Sequence, residues 1–331
     1  DWYDAPDPRP DYYRNLPSYF YMENTDYNRQ NFAKYAWAKE AWETDIPSTT
    51  HLNWDRLYAV NSLSATDAGN RSKYVIEERR VDQNDLNFAL NGKWNPVKFL
   101  TVTGGLSYKW NRTEYYKVLD DLLGGDYYVN IDQFAERDFA AYPTMIQNDL
   151  DYFMKNGAAQ TLKEGDKYGY DYYAHVRRAE AWASGRFTFG GLEATVAGRL
   201  GYSKFWREGL LRKGLFPGLD DNGDPYTYNG NVITKYDQID GKPITSKGES
   251  DKKDFLTGSG KINLSYFIRG GHRIYADAAY ITEAPTFNQA FISPRTRNTI
   301  MPDLKTIKTL TADINYAYRN SGYDFRITGF Y

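Results

Sequence analysis

The stretch LEATVAGRLGYSKFW, residues 192–206, alternates apolar or small residues with polar ones along most of its length. Successive side chains of a strand point to opposite faces, so a period of two predicts a strand with one apolar and one polar face. The first face carries Leu192, Ala194, Val196, Gly198, Leu200 and Tyr202, and the second carries Glu193, Thr195, Ala197, Arg199, Gly201 and Ser203.

The same alternation recurs on both sides of this stretch. Together with residues 191–206 it predicts eight strands in the chain. The other seven are Tyr74–Trp94, Lys98–Trp110, Ala179–Phe189, Phe255–Ile268, Arg273–Ile281, Thr309–Tyr318 and Tyr323–Tyr331.

Short and long connections alternate between these strands. Four connections are tight turns, at residues 95–96, 190–191, 269–272 and 319–322, and three are long, at residues 114–170, 208–251 and 283–305. Residues 1–71 add a fourth long segment before the first strand. A meander with short turns at one end and long loops at the other is typical of outer-membrane barrels, whereas compact soluble domains seldom contain structureless loops beyond about 15 residues.

The distribution of aromatic and charged residues agrees with this interpretation. Aromatic residues lie near both ends of the predicted apolar faces, as in the girdles of membrane barrels, and mixed charges such as Asp85, Lys109, Arg199 and Asp277 occupy the other face. Aromatic residues also end strands in soluble sandwiches, which leaves that fold as an alternative. We therefore predict an all-β fold, an antiparallel up-and-down transmembrane β-barrel section with short periplasmic turns and long extracellular loops. Residues 1–331 would belong to one barrel domain, with 1–71 an extracellular loop and 72–331 the strands and their loops.

The composition excludes several classes of protein. The 41 Lys+Arg and 43 Asp+Glu nearly balance, so the chain lacks the basic excess of nucleic-acid-binding proteins. It contains no Cys, which excludes disulfides, thiolate nucleophiles and Cys-ligated zinc. The first residue, Asp1, is not followed by a basic and then apolar signal segment, so we expect a processed chain or an excised piece.

Two helices are predicted within the long loops. Residues 31–42 place Phe32, Tyr35 and Ala36 at helical spacing. Thr144 and Gln147 match a capping box before a second helix, which Asn156-Gly157 would end.

Enzymatic chemistry finds little support in the sequence. The three histidines, His51, His175 and His272, have no ligand spacing, and only His175, at the outer end of a strand, suits an outer-membrane hydrolase. We expect no catalytic residue and no cofactor. Asp220, Asn222 and Asp224 place oxygens at alternate positions, as calcium loops do, but Pro225 and Asn231 stand where an EF-hand needs Gly and Glu. A solvated turn is therefore the favoured interpretation, and no metal site is predicted.

The acidic and aromatic loops provide the candidate ligand-binding residues. In residues 120–138, Asp120, Asp121, Asp126, Tyr127 and Tyr128 could bind a cation or a sugar, or pack against neighbouring loops. The tyrosines of the first loop, Tyr12 and Tyr13 among them, present the same two alternatives.

The order of several motifs resembles TonB-dependent receptors of the Bacteroidetes type. They are residues 4–19 (DAPDPRPDYYRNLPSY, which includes Arg14), 74–82 (YVIEERRVD), 118–138, Ala284-Pro285 with 290–298 (AFISPRTRN, which includes Arg295 and Arg297), and the closing 328–331 (TGFY). The resemblance covers nearly the whole chain. Arg14, Arg295 and Arg297 complete the candidate ligand-binding residues of the loops.

The resemblance implies an active transporter of the Gram-negative outer membrane. In this family a 22-stranded barrel encloses a plug, and an inner-membrane complex acts on the plug through TonB to import iron chelates, cobalamin, glycans or peptides. The sequence lacks a plug and a TonB box, and a 22-stranded barrel at this strand density would need on the order of 900 residues. We therefore interpret the chain as a section of a barrel wall, about eight strands of a probable 22.

The predicted function is capture of a nutrient at the extracellular loops before energised uptake. The implied partners are outer-membrane lipids, the TonB complex acting through the plug of the parent protein, an optional surface lipoprotein and an extracellular ligand that the sequence does not name. The alternatives are a self-contained small barrel acting as an adhesin or surface-binding module, an outer-membrane hydrolase, and a secreted carbohydrate-binding β-protein.

Overall fold

A computed structural model describes residues 7–21, 31–220, 222–233, 238–239 and 242–331. Two parts of the sequence interpretation lie outside these residues. They are the first residues of the 4–19 motif and Asp221 in the turn that resembles a calcium loop.

Eight long strands form one antiparallel sheet, and each pairs with its neighbours in chain order. This is an up-and-down meander, as the alternation of short turns and long loops predicts. Within the described residues the first and last strands do not pair with each other, so the sheet is an open section of barrel-like wall. The strands are β1 Ile76–Val97, β2 Leu100–Asp121, β3 Lys167–Phe189, β4 Leu192–Gly209, β5 Lys253–Ile268, β6 His272–Glu283, β7 Ile307–Arg319 and β8 Asp324–Phe330.

The pairing register places the apolar side chains of all eight strands on one face. Leu106 lies opposite Leu90 and Ala181, and the row continues through Leu200 on β4. We call this the apolar face. Its large side chains are exposed, for example Leu200 at 66% and Leu256 at 75%, which is unusual for a surface of this extent in water.

Charges of both signs occupy the opposite, polar face. Ion pairs cross between neighbouring strands there, with Nζ of Lys109 3.4 Å from Oδ1 of Asp85 and Nη1 of Arg199 3.5 Å from Oε1 of Glu180. The mixed-charge face predicted from the alternation is therefore confirmed.

Several strands extend further than the sequence pattern predicted. The loop predicted for residues 114–170 is shorter, because β2 continues to Asp121 and β3 begins at Lys167. The period of two fails there because Arg112 and Glu114 occupy positions that continue the apolar face, so that face is no longer apolar. Residues 111–121 of β2 thus form an extension beyond the apolar face.

Helices lie in the long segments and follow their local caps. The predicted helix at residues 31–42 is confirmed as Phe32–Glu43, with Asn31 Oδ1 accepting from the Lys34 N–H. The prediction of a capping box at Thr144 is wrong, because that helix begins at Leu150 and Asp149 caps it. The remaining helices are Tyr13–Asn15 (3-10), Pro17–Tyr21, Pro47–Thr50, Trp54–Ser62, Gln133–Phe139, Leu150–Asn156 and Phe287–Ala290.

Short two-residue strands tie the loops together. They are Ala65–Thr66, Gly69–Asn70, Tyr128–Val129, Thr161–Leu162, Thr227–Tyr228, Asn231–Val232, Gln238–Ile239, Lys242–Pro243 and Gly248–Glu249. In the part of the chain that the structure describes, no helix is long and apolar enough to cross a bilayer. The buried apolar clusters lie among the loops and at the loop end of the sheet, as around Leu119, Leu150 and Phe205.

Candidate functional site

A group of tyrosines and cations lies on the polar face at the loop end of the sheet. Tyr168, Tyr170 and Tyr172 follow one another at alternate positions of β3, so they share that face. Across the ladder, an irregularity after Tyr116 sets Lys117 opposite Tyr168. We name the group the tyrosine–cation cluster: Glu77, Arg79, Tyr115, Lys117, Tyr168, Tyr170, Tyr172, Arg207 and Arg295.

Glu77 organises the β1 side of this cluster. Its carboxylate accepts hydrogen bonds from Nζ of Lys117 (2.7 Å), the hydroxyl of Tyr168 (2.7 Å) and Nε of Arg79 (2.8 Å). Burial opposes ionisation of Glu77, but these donors and the Lys117 charge outweigh it and lower the pKa of the carboxyl to about 2. The carboxylate is therefore ionised at neutral pH and holds both cations in place.

Arg79, Lys117 and Arg295 surround the ring of Tyr170. Lys117 Nζ lies 5.8 Å and Arg295 Cζ 5.2 Å from the centroid of that ring, and the charges of Arg79 and Arg295 both act on the Tyr170 hydroxyl. Tyr170 is buried, whereas the side chains of Arg79 and Arg295 are exposed. The tyrosine thus supports cations that face solvent, with a single carboxylate, Glu77, among them.

Beneath these groups, stacked rings form a rigid base. Tyr115 and Tyr172 stack across β2 and β3 with centroids 5.1 Å apart and planes 12° apart, and Phe287 stacks on Tyr172 at 6.5 Å. The rings fix the positions of side chains that carry the charge above them.

Arg207 locks the segment after β6 onto this base. The side chain is 2% exposed; Nε donates to the carbonyl of Pro294 at 2.6 Å and Nη1 to that of Ser246 at 2.7 Å. Asn298 Oδ1 accepts a further hydrogen bond, and the guanidinium lies 4.9 Å from the ring of Tyr172. Burial lowers the pKa of Arg207 to about 10, so it remains charged at neutral pH.

A second buried cation lies in the adjoining loops. Lys213 donates from Nζ to Oδ1 of Asn148 at 2.6 Å, and its backbone N–H donates to Oγ of Ser246 at 2.8 Å. Its burial lowers the pKa of the amine to about 7. Sequence patterns gave no signal for this residue, because it lies in an irregular loop.

The predicted residues of the 120–128 stretch differ in their contacts. Asp126 Oδ2 accepts from the Asn70 N–H at 2.7 Å, and the Tyr127 hydroxyl bonds Oγ1 of Thr66 at 2.8 Å. Asp121 Oδ1 accepts from the Leu123 N–H at 2.7 Å. Asp120 is exposed at the end of β2.

Tyr128, from the same stretch, is buried at the edge of the tyrosine–cation cluster. Its ring meets that of Tyr168 edge to face at 5.5 Å, and burial raises the pKa of its hydroxyl to about 12.

The other predicted residues divide between two places. Arg295 belongs to the tyrosine–cation cluster, while Arg297 lies over the ring of Phe216 at 5.1 Å. Tyr12, Tyr13 and Arg14 form a local group, with ring centroids of the tyrosines 4.7 Å apart and Arg14 Nε donating to the Tyr13 hydroxyl at 2.9 Å.

Local contacts occupy both the calcium-like turn and His175. Asp220 Oδ1 accepts from the backbone N–H groups of Asn222 and Asp224, both at 2.9 Å, which is a local turn. No cluster of three or more His, Asp or Glu side chains suits a metal within the described ranges. His175 Nε2 lies 2.8 Å from Oε2 of Glu208, and the imidazole stacks on Trp206 at 4.6 Å.

A cleft of about 360 Å³ lies between the first helices and the start of β1. Trp37, His51, Asn53, Arg56 and Tyr74 are among its lining residues. It joins aromatic and polar groups, but its polar groups also cap helices, as Asn53 Oδ1 accepts from the Arg56 N–H at 3.0 Å.

Comparisons with known proteins give remote structural likenesses alone. No family model matches the chain. No curated protein matches it. Among solved structures, "Copper transporter OprC" is similar over 77% of this chain and 30% of that chain, at 11% identity and a TM-score of 0.44. This chain therefore spans under a third of that protein.

Proposed function

We propose that this chain is a section of the wall of an outer-membrane TonB-dependent transporter, and that its loop end captures an anionic nutrient. The exposed apolar face of the eight-stranded sheet supports the first part of the proposal. Leu200 at 66%, Leu256 at 75% and Leu310 at 61% exposure belong to one continuous face, which lipid would cover.

Aromatic residues at the borders of that face support its placement in a bilayer. Tyr108, Tyr202 and Tyr280 lie at the border toward the long loops, and Trp94 and Tyr318 lie toward the short turns. Tyrosine and tryptophan favour the bilayer interface because their rings are apolar and their tips are polar.

The unpaired edges of the sheet support a larger parent barrel. In the described residues, one backbone edge of β1 and one of β8 have no strand partner. Unpaired N–H and C=O groups cost several kcal/mol each in hydrocarbon, so further strands would close the wall. The plug, the TonB interaction and any surface lipoprotein would belong to that parent protein, and the Bacteroidetes type remains part of the proposal through residues 290–298.

The tyrosine–cation cluster supports an anionic ligand. Arg79 and Arg295 are exposed and Glu77 is the one carboxylate among the cluster's four cations. Buried tyrosines orient these cations before a ligand arrives. Binding therefore costs less conformational entropy. Acidic glycans and carboxylate-bearing chelates carry the matching charge.

The first test is the mass and location of the native protein. An antibody to the peptide of residues 220–228 would be used on detergent-extracted outer membranes. A band at roughly three times 38.3 kDa supports the wall-section proposal. A heat-modifiable band at 38.3 kDa would favour the small-barrel alternative, and absence from the membrane fraction would overturn the proposal.

The second test addresses the ligand class in the native protein. Binding of a heparin-derived oligosaccharide would be compared with that of an uncharged maltooligosaccharide. We expect Arg79→Gln with Arg295→Gln to weaken heparin binding about tenfold or more, since charge-assisted contacts contribute about 1.5–3 kcal/mol each. Arg186→Gln, an exposed cation at the short-turn end, is the matched control. Equal loss in the control, or equal binding of both sugars, would contradict an anion site.

A further inference from the structure

Two arginines continue the apolar face at the point where the strand extensions begin. Arg177 on β3 is opposite Trp110 on β2, and Arg112 on β2 is opposite His175 on β3. The alternation that places Leu106 on the apolar face places both arginines there too. They therefore border the exposed leucines on the side of the long loops.

Aromatic rings hold Arg177 in a defined orientation. Its Cζ lies 4.7 Å from the ring centroid of Trp110 and 5.2 Å from that of Trp206. Nη1 donates to the carbonyls of Asn111 at 2.8 Å and Val176 at 3.0 Å. Two indole rings and two backbone carbonyls, one from β2 and one from β3, thus hold the side chain in place.

Arg112 is held next to it. Its Cζ lies 4.8 Å from the ring centroid of Tyr173, and its buried Nε has no hydrogen-bond partner. The charge of Arg112 acts directly on Arg177, so the two cations lie near each other on this surface.

Protein carboxylates leave these two charges uncompensated. Across the described parts of the chain, no carboxylate oxygen lies within 4.0 Å of either guanidinium. The acidic groups on the same side have other partners. Glu114, the closest to Arg112 along β2, pairs with Lys167. Glu208 bonds His175 and Glu249 bonds Lys252, each at 2.8 Å, and Asp254 interacts with Tyr202. An external anion would therefore meet two positive charges.

We propose that Arg112 and Arg177 bind a phosphate group of an outer-leaflet lipid whose acyl chains lie on the apolar face. This inference rests on the proposed function, because it needs the apolar face to be in a bilayer. A lipid that carries a phosphate next to its acyl chains would bind the arginines with its phosphate and the apolar face with its acyl chains. Free phosphate would use the arginines alone, and a soluble protein partner would have to replace lipid along the apolar face.

The test uses the native barrel purified in mild detergent. Retention of lipid A with both phosphates would be measured by native mass spectrometry, alongside dephosphorylated lipid A and inorganic phosphate. Arg112→Gln with Arg177→Gln is expected to reduce retention of the phosphorylated lipid roughly thirtyfold, the size expected for two basic groups at an anionic surface. Arg178→Gln is the matched control, since it changes the next residue of β3 on the polar face.

The outcomes separate the inference from the proposed function. Loss in the double variant but not in Arg178→Gln, with weak retention of dephosphorylated lipid, would support the lipid site. Unchanged retention in the double variant would overturn it, as would competition by inorganic phosphate at equal concentration. If the protein were absent from the outer membrane, the proposed function would be wrong. If it were in the outer membrane but retained the lipid equally in the double variant, only the lipid site would be wrong.

Discussion

Asn61 and Tyr74 are joined by two reciprocal hydrogen bonds. Asn61 Nδ2 donates to the carbonyl of Tyr74 at 2.8 Å, and the N–H of Tyr74 donates to Asn61 Oδ1 at 3.0 Å. The same fully buried amide also donates to the carbonyls of Leu122 and Leu123 and accepts from the Lys73 N–H. One side chain thus fastens the helix Trp54–Ser62 to the start of β1 and to the segment after β2.

Replacing this amide is expected to release the first helices from the sheet. Asn61→Ala leaves buried backbone groups without partners and should lower local stability by about 2–4 kcal/mol. Faster hydrogen exchange of the amides of Lys73 and Tyr74 would show the effect. Asn156→Ala, which removes one exposed hydrogen bond, is the control, and equal exchange in both variants would refute a special role for Asn61.

The Glu77 carboxyl should make the loop end of β1 sensitive to acid. Its pKa is about 2 in the folded protein and ordinarily 4.5. A lowered pKa stabilises the fold fully above the ordinary value, and this stabilisation is lost as pH falls from about 4.5 to 2. Hydrogen exchange of the β1–β2 ladder near Lys117, corrected for intrinsic rates, should accelerate in this window.

Glu77→Gln provides the control for the acid effect. The variant should be less stable at pH 7 and should show a flatter profile between pH 4.5 and 2, because no carboxylate remains to be protonated. An unchanged profile would assign the acid sensitivity to other carboxyls.

Arg207 is expected to control access of protease to the segment after β6. Arg207→Met removes hydrogen bonds to Pro294 and Ser246 and should destabilise that contact by about 2–4 kcal/mol, since bonds from a charged group contribute about 1.5–3 kcal/mol each. Trypsin should then cleave faster at Arg295 and Arg297. Arg186→Met breaks an exposed ion pair with Glu193 and should leave the cleavage rate unchanged.

Gly105 is expected to tolerate no side chain. A Cβ there would lie 2.7 Å from the carbonyl oxygen of Leu90 and 2.8 Å from Nε1 of Trp182. Gly105→Val should displace Trp182, shift its fluorescence and cost about 1–3 kcal/mol. Gly92→Val, where a Cβ meets nothing within 4 Å, is the control, and a similar shift there would contradict steric displacement.

The sequence predicted the sheet well because its two faces meet different surroundings. Alternation such as that of Leu200 and Arg199 survives wherever one face is apolar and the other polar. Beyond the apolar face this contrast ends, which explains why the extension of β2 to Asp121 was not predicted. Charged residues such as Lys117 and Glu77 there gave no periodic signal.

The candidate site was predicted less well, because it depends on contacts between distant segments. Arg295 was predicted only as one of several loop residues, because the ring that it contacts, Tyr170, lies on β3, to which no local motif connects it. Arg207 could have been found by extending the alternation of residues 192–206 one step, since it shares the polar face with Phe205.

The extension of β2 beyond Trp110 sets the height of the binding groups above a bilayer. Arg79 lies opposite Lys117, and from Trp110 to Lys117 a tilted strand rises roughly 18 Å. If lipid covers the apolar face, Arg79 and Arg295 stand well clear of the headgroup layer. Large particles in the medium, such as antibodies or bacteriophage tails, could then touch these arginines without entering any pore.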